Sequence, residues 1–304
     1  MLSGVSIVCF AVSYAVALGL EVSRLLFRSG VRGAAMLAFA GAGLVAHSIF
    51  LYHRVVSTPG SPLSSQQDWF LIAAWVLVVT YLYLVYYHSK SPFGLFILPL
   101  VLGLIAAAAF FADAEPYARG PASRIWGMIH GASILAGAVA VLIGFVTGLM
   151  YLSQARRLKH KLPPVRGFNL PSLEWLQKAN ARAVVLSVLM LGVGVLSGGI
   201  LNRITADPNA APLPWTDPVV ISTMLMFAWL VVASGITLAY RPARAGHKVA
   251  YLTLASFVFL VIALGASLMF DTEHGNPRTG EEKPAVEETV DLSPSAISTG
   301  GGRA

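Results

Sequence analysis

Seven histidines, one cysteine and a short tryptophan-bearing loop are the residues through which this 304-residue chain could do chemistry. The single cysteine, Cys9, excludes an internal disulfide, a CxxC redox pair and a cysteine-built metal site. Cys9 stands inside an apolar stretch and reads as a buried structural thiol. His130 stands at the start of another apolar stretch, with Trp126 four residues before it and Arg124 close by. That spacing puts Trp126 and His130 on one helical face if the helix begins early enough. His274 follows the last apolar stretch, and Pro214-Trp215-Thr216-Asp217-Pro218 lies between two others. Two imidazoles from helix ends over a loop carrying Trp215 would suit a flat apolar macrocycle. Histidine ligates haem iron, aromatic rings stack on a porphyrin, and arginine pairs with propionates. Solvated histidines and a tryptophan of the interfacial belt are the plainer alternative on spacing alone.

His47 differs, because it falls within an apolar core. A polar group in hydrocarbon is costly and faces the bundle interior for a purpose. That purpose is either a hydrogen bond to a neighbouring helix or contact with a cofactor. It lies six residues from His53, about 9 Å deeper along a helix axis. His88, His160 and His247 fall at the opposite ends of their helices and suit headgroups or helix C-termini. No P-loop glycine pattern, HExxH or nucleophile elbow is present. Gly192, Gly194, Gly198 and Gly199 suit close helix packing better than phosphate binding.

The elements that must position these residues are membrane helices. The chain is 56% apolar and 12% charged, where soluble domains carry about 25% charge. Its net charge of +7 is spread between apolar stretches, which makes it a topological signal and not a nucleic-acid footprint. A spanning helix needs roughly 20 apolar residues. Val5–Leu20, Ala34–Tyr52, Trp69–Tyr87, Gly94–Ala112, Gly131–Leu152, Ala183–Leu201, Val219–Tyr240 and Val249–Phe270 qualify or nearly so. The expected fold is an all-α polytopic membrane domain of about eight helices over residues 1–270, with a polar, disordered tail over 271–304. The first stretch lacks a basic leader and reads as a retained helix.

Lysine and arginine orient the bundle. Arg24, Arg28, Arg32, Lys90, the seven from Arg156 to Arg182, Arg241, Arg244 and Lys248 fall on one side. Arg54, Arg119, Arg124 and Arg203 fall on the other, leaving aside the tail. The richer side is expected to be cytoplasmic, which puts both termini outside. The run Arg156-Arg157-Leu158-Lys159-His160-Lys161 suits anionic headgroups, and Leu170–Ala179 suits a short interfacial helix.

Ile125-Trp126-Gly127-Met128-Ile129-His130 leads into a Gly/Ala-rich helix that ends Gly148-Leu149-Met150-Tyr151-Leu152-Ser153-Gln154-Ala155-Arg156-Arg157. Leu170-Pro171-Ser172-Leu173-Glu174-Trp175-Leu176-Gln177-Lys178-Ala179-Asn180 follows, then a helix closing Gly194-Val195-Leu196-Ser197-Gly198-Gly199. This stretch resembles the cytochrome c assembly family of the CcsA, ResC and HemX type, most of all its eight-helix HemX-like branch. The resemblance covers about half the chain, from Trp126 to His274; the first four helices match in number and hydropathy. It implies haem handling on the outer face, with two external histidines flanking a tryptophan-rich loop. His130 and His274 match those histidines. Trp215, Asp217 and Pro218 match the loop, Thr216 stands where a further tryptophan would be, and no lysine follows the proline. Trp229 resembles a tryptophan of the following helix.

Two readings follow. In one, the chain binds haem b between His130 and His274 and presents it to apocytochrome c, as at most one part of a haem lyase complex in the cell's inner (plasma) membrane. Trp126, Trp215, Asp217 and His47 would then contact the cofactor. Short external loops and the lack of an outward cysteine pair call for a partner with a large external domain. In the other, the chain is a non-catalytic regulator or scaffold of haem synthesis or complex assembly, acting through its basic inner loop. A transporter fits less well, since His47 is the lone candidate at the membrane midplane. The orientation is testable. Cysteines at Ser61 and Ser295 should react with an impermeant reagent on intact cells, and those at Ser89 and Ser172 only after permeabilisation. Protection of Ser61 would invert the topology.

Overall fold

In the bilayer core every backbone N–H and C=O must be satisfied within the protein, so an apolar chain of this composition becomes helices. The structure, a computed structural model, describes residues 6–26, 30–57, 65–88, 91–115, 121–161, 169–204, 214–239 and 242–269. The described residues form eight helices: α1 (Ile7–Leu26), α2 (Gly30–Ser57), α3 (Gln66–Tyr87), α4 (Gly94–Phe110), α5 (Pro121–Lys159), α6 (Leu173–Ile204), α7 (Pro218–Ala239) and α8 (Pro242–Met269). Six are long and apolar enough to cross a membrane, while α1 and α4 are shorter apolar helices. The protein is a polytopic helical membrane protein. The expected tail over 271–304 lies outside the described residues.

Local sequence sets the helix starts. Proline occupies the first position of α5, α7 and α8, where its missing N–H costs nothing. Ser65 and Asp68 form a reciprocal capping box at the start of α3. The Ser172 hydroxyl accepts a hydrogen bond from the Trp175 amide at the start of α6.

The helices pack as two rings of four. In the first, α1 lies on α2 and α4, and α3 lies on the same two; in the second, α5 lies on α6 and α8, and α7 lies on the same two. Among the described residues, the two rings meet where α3 and α4 lie against α5, and side chains of α3 and α6 also bridge them at the two ends. Phe10, Tyr14, Leu71, Tyr81 and Leu98 fill the first ring, and Met150, Leu176, Leu191 and Leu230 the second.

Named contacts show which ends lie together. At one end Gln66 of α3 donates to the Ser267 carbonyl of α8 (2.8 Å) and accepts from the Asp113 amide after α4 (3.2 Å). There too Arg54 of α2 reaches Asp68 (2.9 Å), Ser65 (3.1 Å) and the Ala114 carbonyl (3.2 Å). At the other end Trp175 of α6 packs edge-on against His88 and Phe93, at the α3–α4 connection, and His247 of α8 packs edge-on against Tyr151 of α5.

Four expectations change. Helix α5 has 39 residues, about 58 Å at 1.5 Å per residue against a hydrocarbon core of about 30 Å, so it starts ten residues before the apolar stretch and carries the basic run on its last turns. The expected interfacial helix at Leu170–Ala179 is not separate, because α6 runs unbroken from Leu173. Cys9 is exposed, on the surface α1 turns away from its neighbours. His47 is not the sole ionisable group buried in the helices: α1 runs to Leu26, so Glu21 is 1% exposed inside it, with its side chain beside Gly94 of α4.

Small residues let the second ring close. Asn180 of α6 donates to Thr253 of α8 (3.3 Å), and both lie over Gly148 of α5, where an added Cβ would sit 2.6 Å from Thr253 Oγ1. That hydroxyl also donates to the Ala250 carbonyl (2.8 Å), so it cannot swing aside freely. Gly148→Ala should cost about 1–3 kcal/mol of overpacking. Gly103→Ala, where none of the described residues lies within 4 Å of the added Cβ, should gain up to about 1 kcal/mol. Thermal unfolding in detergent checks both; equal shifts of one sign would refute the packing account.

Candidate functional site

His130 is the best-positioned of the expected site residues. It lies about two and a half turns into α5, not at the helix start where the apolar pattern put it, and Trp126 is on the same helix. The His130 ring is half-buried and crosses to α6. Its Nδ1 lies 2.7 Å from the Gly194 carbonyl oxygen. A Cβ on Gly198 would sit 2.8 Å from the ring's Cε1 and 2.9 Å from Nδ1. The imidazole therefore occupies a notch in α6 that exists because position 198 has no side chain.

The same close approach continues along the pair. Gly194 faces Ile134, and Gly137 faces Leu191 in close contact. Gly192 faces Phe227 of α7 instead, and among the described residues nothing lies within 4 Å of a Cβ added at Gly199. The expected packing role of the α6 glycines thus divides among three directions.

The loop residues behave differently from one another. Trp215 is 70% exposed. Asp217 is buried and caps α7, accepting from the Val219 amide (2.9 Å) and the Val220 amide (3.3 Å). It anchors the turn that displays Trp215. Trp229, farther along α7, donates to Ser256 of α8 (3.1 Å). His274 lies outside the described residues, five positions beyond the end of α8. The C-terminal end of α8 is at the end of the bundle where α3 begins, through Gln66 and Ser267.

Sequence reasoning missed α3 as a contributor. Trp69 lies against Gly131, beside His130, where an added Cβ would be 2.5 Å from its ring. Trp69 brings the first ring to the end of α5 that carries His130, and Gln66 joins it to the end of α8. Their polar and aromatic character at a helix start was visible, but no spacing within one helix identifies a partner on another.

His47 is elsewhere. It is fully buried between α1 and α2, stacked on Phe10 with ring centroids 4.1 Å apart and 3.4 Å from the Tyr14 hydroxyl. Among the described residues its Nε2 has no hydrogen-bond partner. Among the described residues α2 packs on α1 and α3 only, so His47 is not brought to His130.

The model of the cytochrome c assembly protein family matches residues 36–274. The chain belongs to that family, and its role is in cytochrome c biogenesis. The match reaches back through α2, α3 and α4, further than the Trp126–His274 resemblance. A chain from Guillardia theta, described as cytochrome c biogenesis protein CcsA, is 22% identical over 243 residues, covering 73% of this chain and 78% of that one. No solved structure matches significantly.

The geometry around His47 gives a direct test. His47→Asn loses a stacked ring pair, worth about 0.5–1.5 kcal/mol, and a hydrogen bond between membrane helices, worth about 0.6 kcal/mol. The variant should unfold more easily by about 1–2 kcal/mol and keep any visible spectrum the protein has. A lost or shifted spectrum would place His47 among the ligands.

Proposed function

We propose that the chain binds haem b at the outer face of the plasma membrane and presents it for attachment to apocytochrome c. The observation that carries this reading is the placement of His130. The family match supplies the context, and the helix geometry supplies an imidazole fixed at the end of α5 toward which the end of α8 also points. His130 and His274 are the proposed iron ligands, with Trp126 and Trp215 as stacking surfaces. Asp217 contributes by holding the Trp215 turn on the start of α7. A carbonyl can only accept a hydrogen bond, so Nδ1 of His130 donates to it, and in the neutral ring the lone pair is then on Nε2; such an imidazole suits haem iron. His47 stays a separate candidate with its own variant.

Bound haem would supply the vinyl groups that form thioether bonds with the CxxCH thiols of the apocytochrome. This chain's residues hold and orient it. The lysine and arginine bias supports putting this end outside. Thiol reduction and a large external surface are assigned to a partner assembly protein, since Cys9 in α1 is the chain's one cysteine. Thr216 and the missing lysine after Pro218 favour the HemX-like branch. A second reading, a regulator or scaffold acting from the inner face, draws on Arg156, Arg157 and Lys159 in the last turn of α5.

Absorption spectra of the detergent-purified protein with added haem test the ligand assignment. His130→Ala and His274→Ala should each convert a low-spin spectrum to a high-spin one, and free imidazole should restore it. Trp215→Ala should weaken haem retention and leave the spin state unchanged. His160→Ala, exposed beyond the other end of α5, should do neither. Unaltered spectra in both outer histidine variants would refute the assignment, and a wild type that binds no haem would favour the regulatory reading.

A further inference from the structure

We infer that α6 is the positioning element for His130: the Gly194 carbonyl, reached through the gap at Gly198, fixes the imidazole's tautomer and aims Nε2. This rests on the haem-binding reading for its purpose, but the contact itself stands on the α5–α6 geometry. The 2.7 Å separation between His130 Nδ1 and Gly194 O is a short hydrogen bond. The oxygen has no proton to give, so the ring must donate, and a neutral donating Nδ1 leaves its lone pair on Nε2. A neutral histidine side chain in water prefers the reverse, with its proton on Nε2. The helix therefore imposes the minor tautomer.

The gap is specific to one position. A methyl group on Gly198 would lie 2.8 Å from Cε1 and 2.9 Å from Nδ1, closer than side chains approach, and it would meet the ring itself and not a flexible chain end. Among the described residues, nothing lies within 4 Å of a Cβ added at the next residue, Gly199. Ser197 shares the same acceptor, its hydroxyl lying 2.9 Å from Gly194 O, and has a second acceptor in the Val193 carbonyl (2.7 Å). The carbonyl is thus a point where the Ser197 hydroxyl of α6 and the α5 histidine converge. A second hydrogen bond on a ligating histidine orients the ring and raises its basicity, and removing such a partner typically lowers metal affinity about 10–100-fold.

The first measurement needs no haem. In the full-length protein labelled with ¹⁵N-histidine at a pH where imidazoles are neutral, the resonances of His130, assigned by their loss in His130→Gln, should report a protonated Nδ1 and an unprotonated Nε2. Gly198→Ala should shift His130 toward the opposite tautomer, and Gly199→Ala should not. With haem added, Gly198→Ala should lower affinity about 10–100-fold, and Gly199→Ala should match wild type. A wild-type His130 protonated on Nε2 would overturn the inference while leaving the ligand assignment intact. Equal haem affinity in both glycine variants would overturn the positioning role. A wild type that binds no haem, with the Nδ1 tautomer present, would overturn the haem reading and the purpose assigned here, but not the contact.

Discussion

The fit of α5 against α6 is the constraint on which the rest of the molecule depends. In a bilayer the hydrophobic effect does not press helices together, because lipid tails are as apolar as leucine. Close packing has to do it, and here bulky side chains of one helix enter gaps left by glycines of the other: Leu191 at Gly137, Ile134 at Gly194, His130 at Gly198. The second ring closes on this pair when α8 lies along α5 through the Phe145–Phe257 stack (3.9 Å) and the Asn180–Thr253 bond. The first ring reaches the second through α5 as well. A helix with neighbours on so many sides has little freedom to rotate, and a histidine carried on it inherits that fixity.

The polar groups inside this fold follow one logic. Arg54 meets Asp68, Ser65 and a backbone carbonyl at one end; Trp75 donates to Ser48 (2.9 Å) and Trp229 to Ser256 within the rings. Each links two elements, and so each also specifies which helices adjoin and at what height. The two tryptophan–serine bonds join α3 to α2 and α7 to α8, one in each ring.

The fold was largely legible in the sequence, and the site only partly. Eight apolar stretches separated by proline, glycine and basic residues became eight helices, because apolar length is a direct requirement of the bilayer. Hydropathy says nothing about where a helix ends outside it, so the ten-residue extension before Gly131 and the fusion of Leu173–Ala179 into α6 went unread. His130 was recognisable from its motif, whereas its setting was not: the glycines at 194 and 198 look alike in sequence, and only the helix pairing shows that one supplies a carbonyl and the other a gap. Glu21 was passed over because it stands one residue beyond its apolar stretch. Asp217 resembled a loop residue of a binding motif, and an N-cap residue has the same signature, Asp followed by Pro, until the amides it holds are seen.

Helix α6 has a mechanical consequence. It runs unbroken from Leu173 to Ile204, with Trp175 wedged against His88 and Phe93 at one end and Gly194 and Gly198 holding His130 near the other. Trp175 and Gly198 are 23 residues apart, about 35 Å along a continuous helix. An unbroken helix held at both ends can convey a push or a twist from one end to the other. Whatever leans on the Trp175 end therefore leans, across the thickness of the membrane, on the direction in which the His130 ring points.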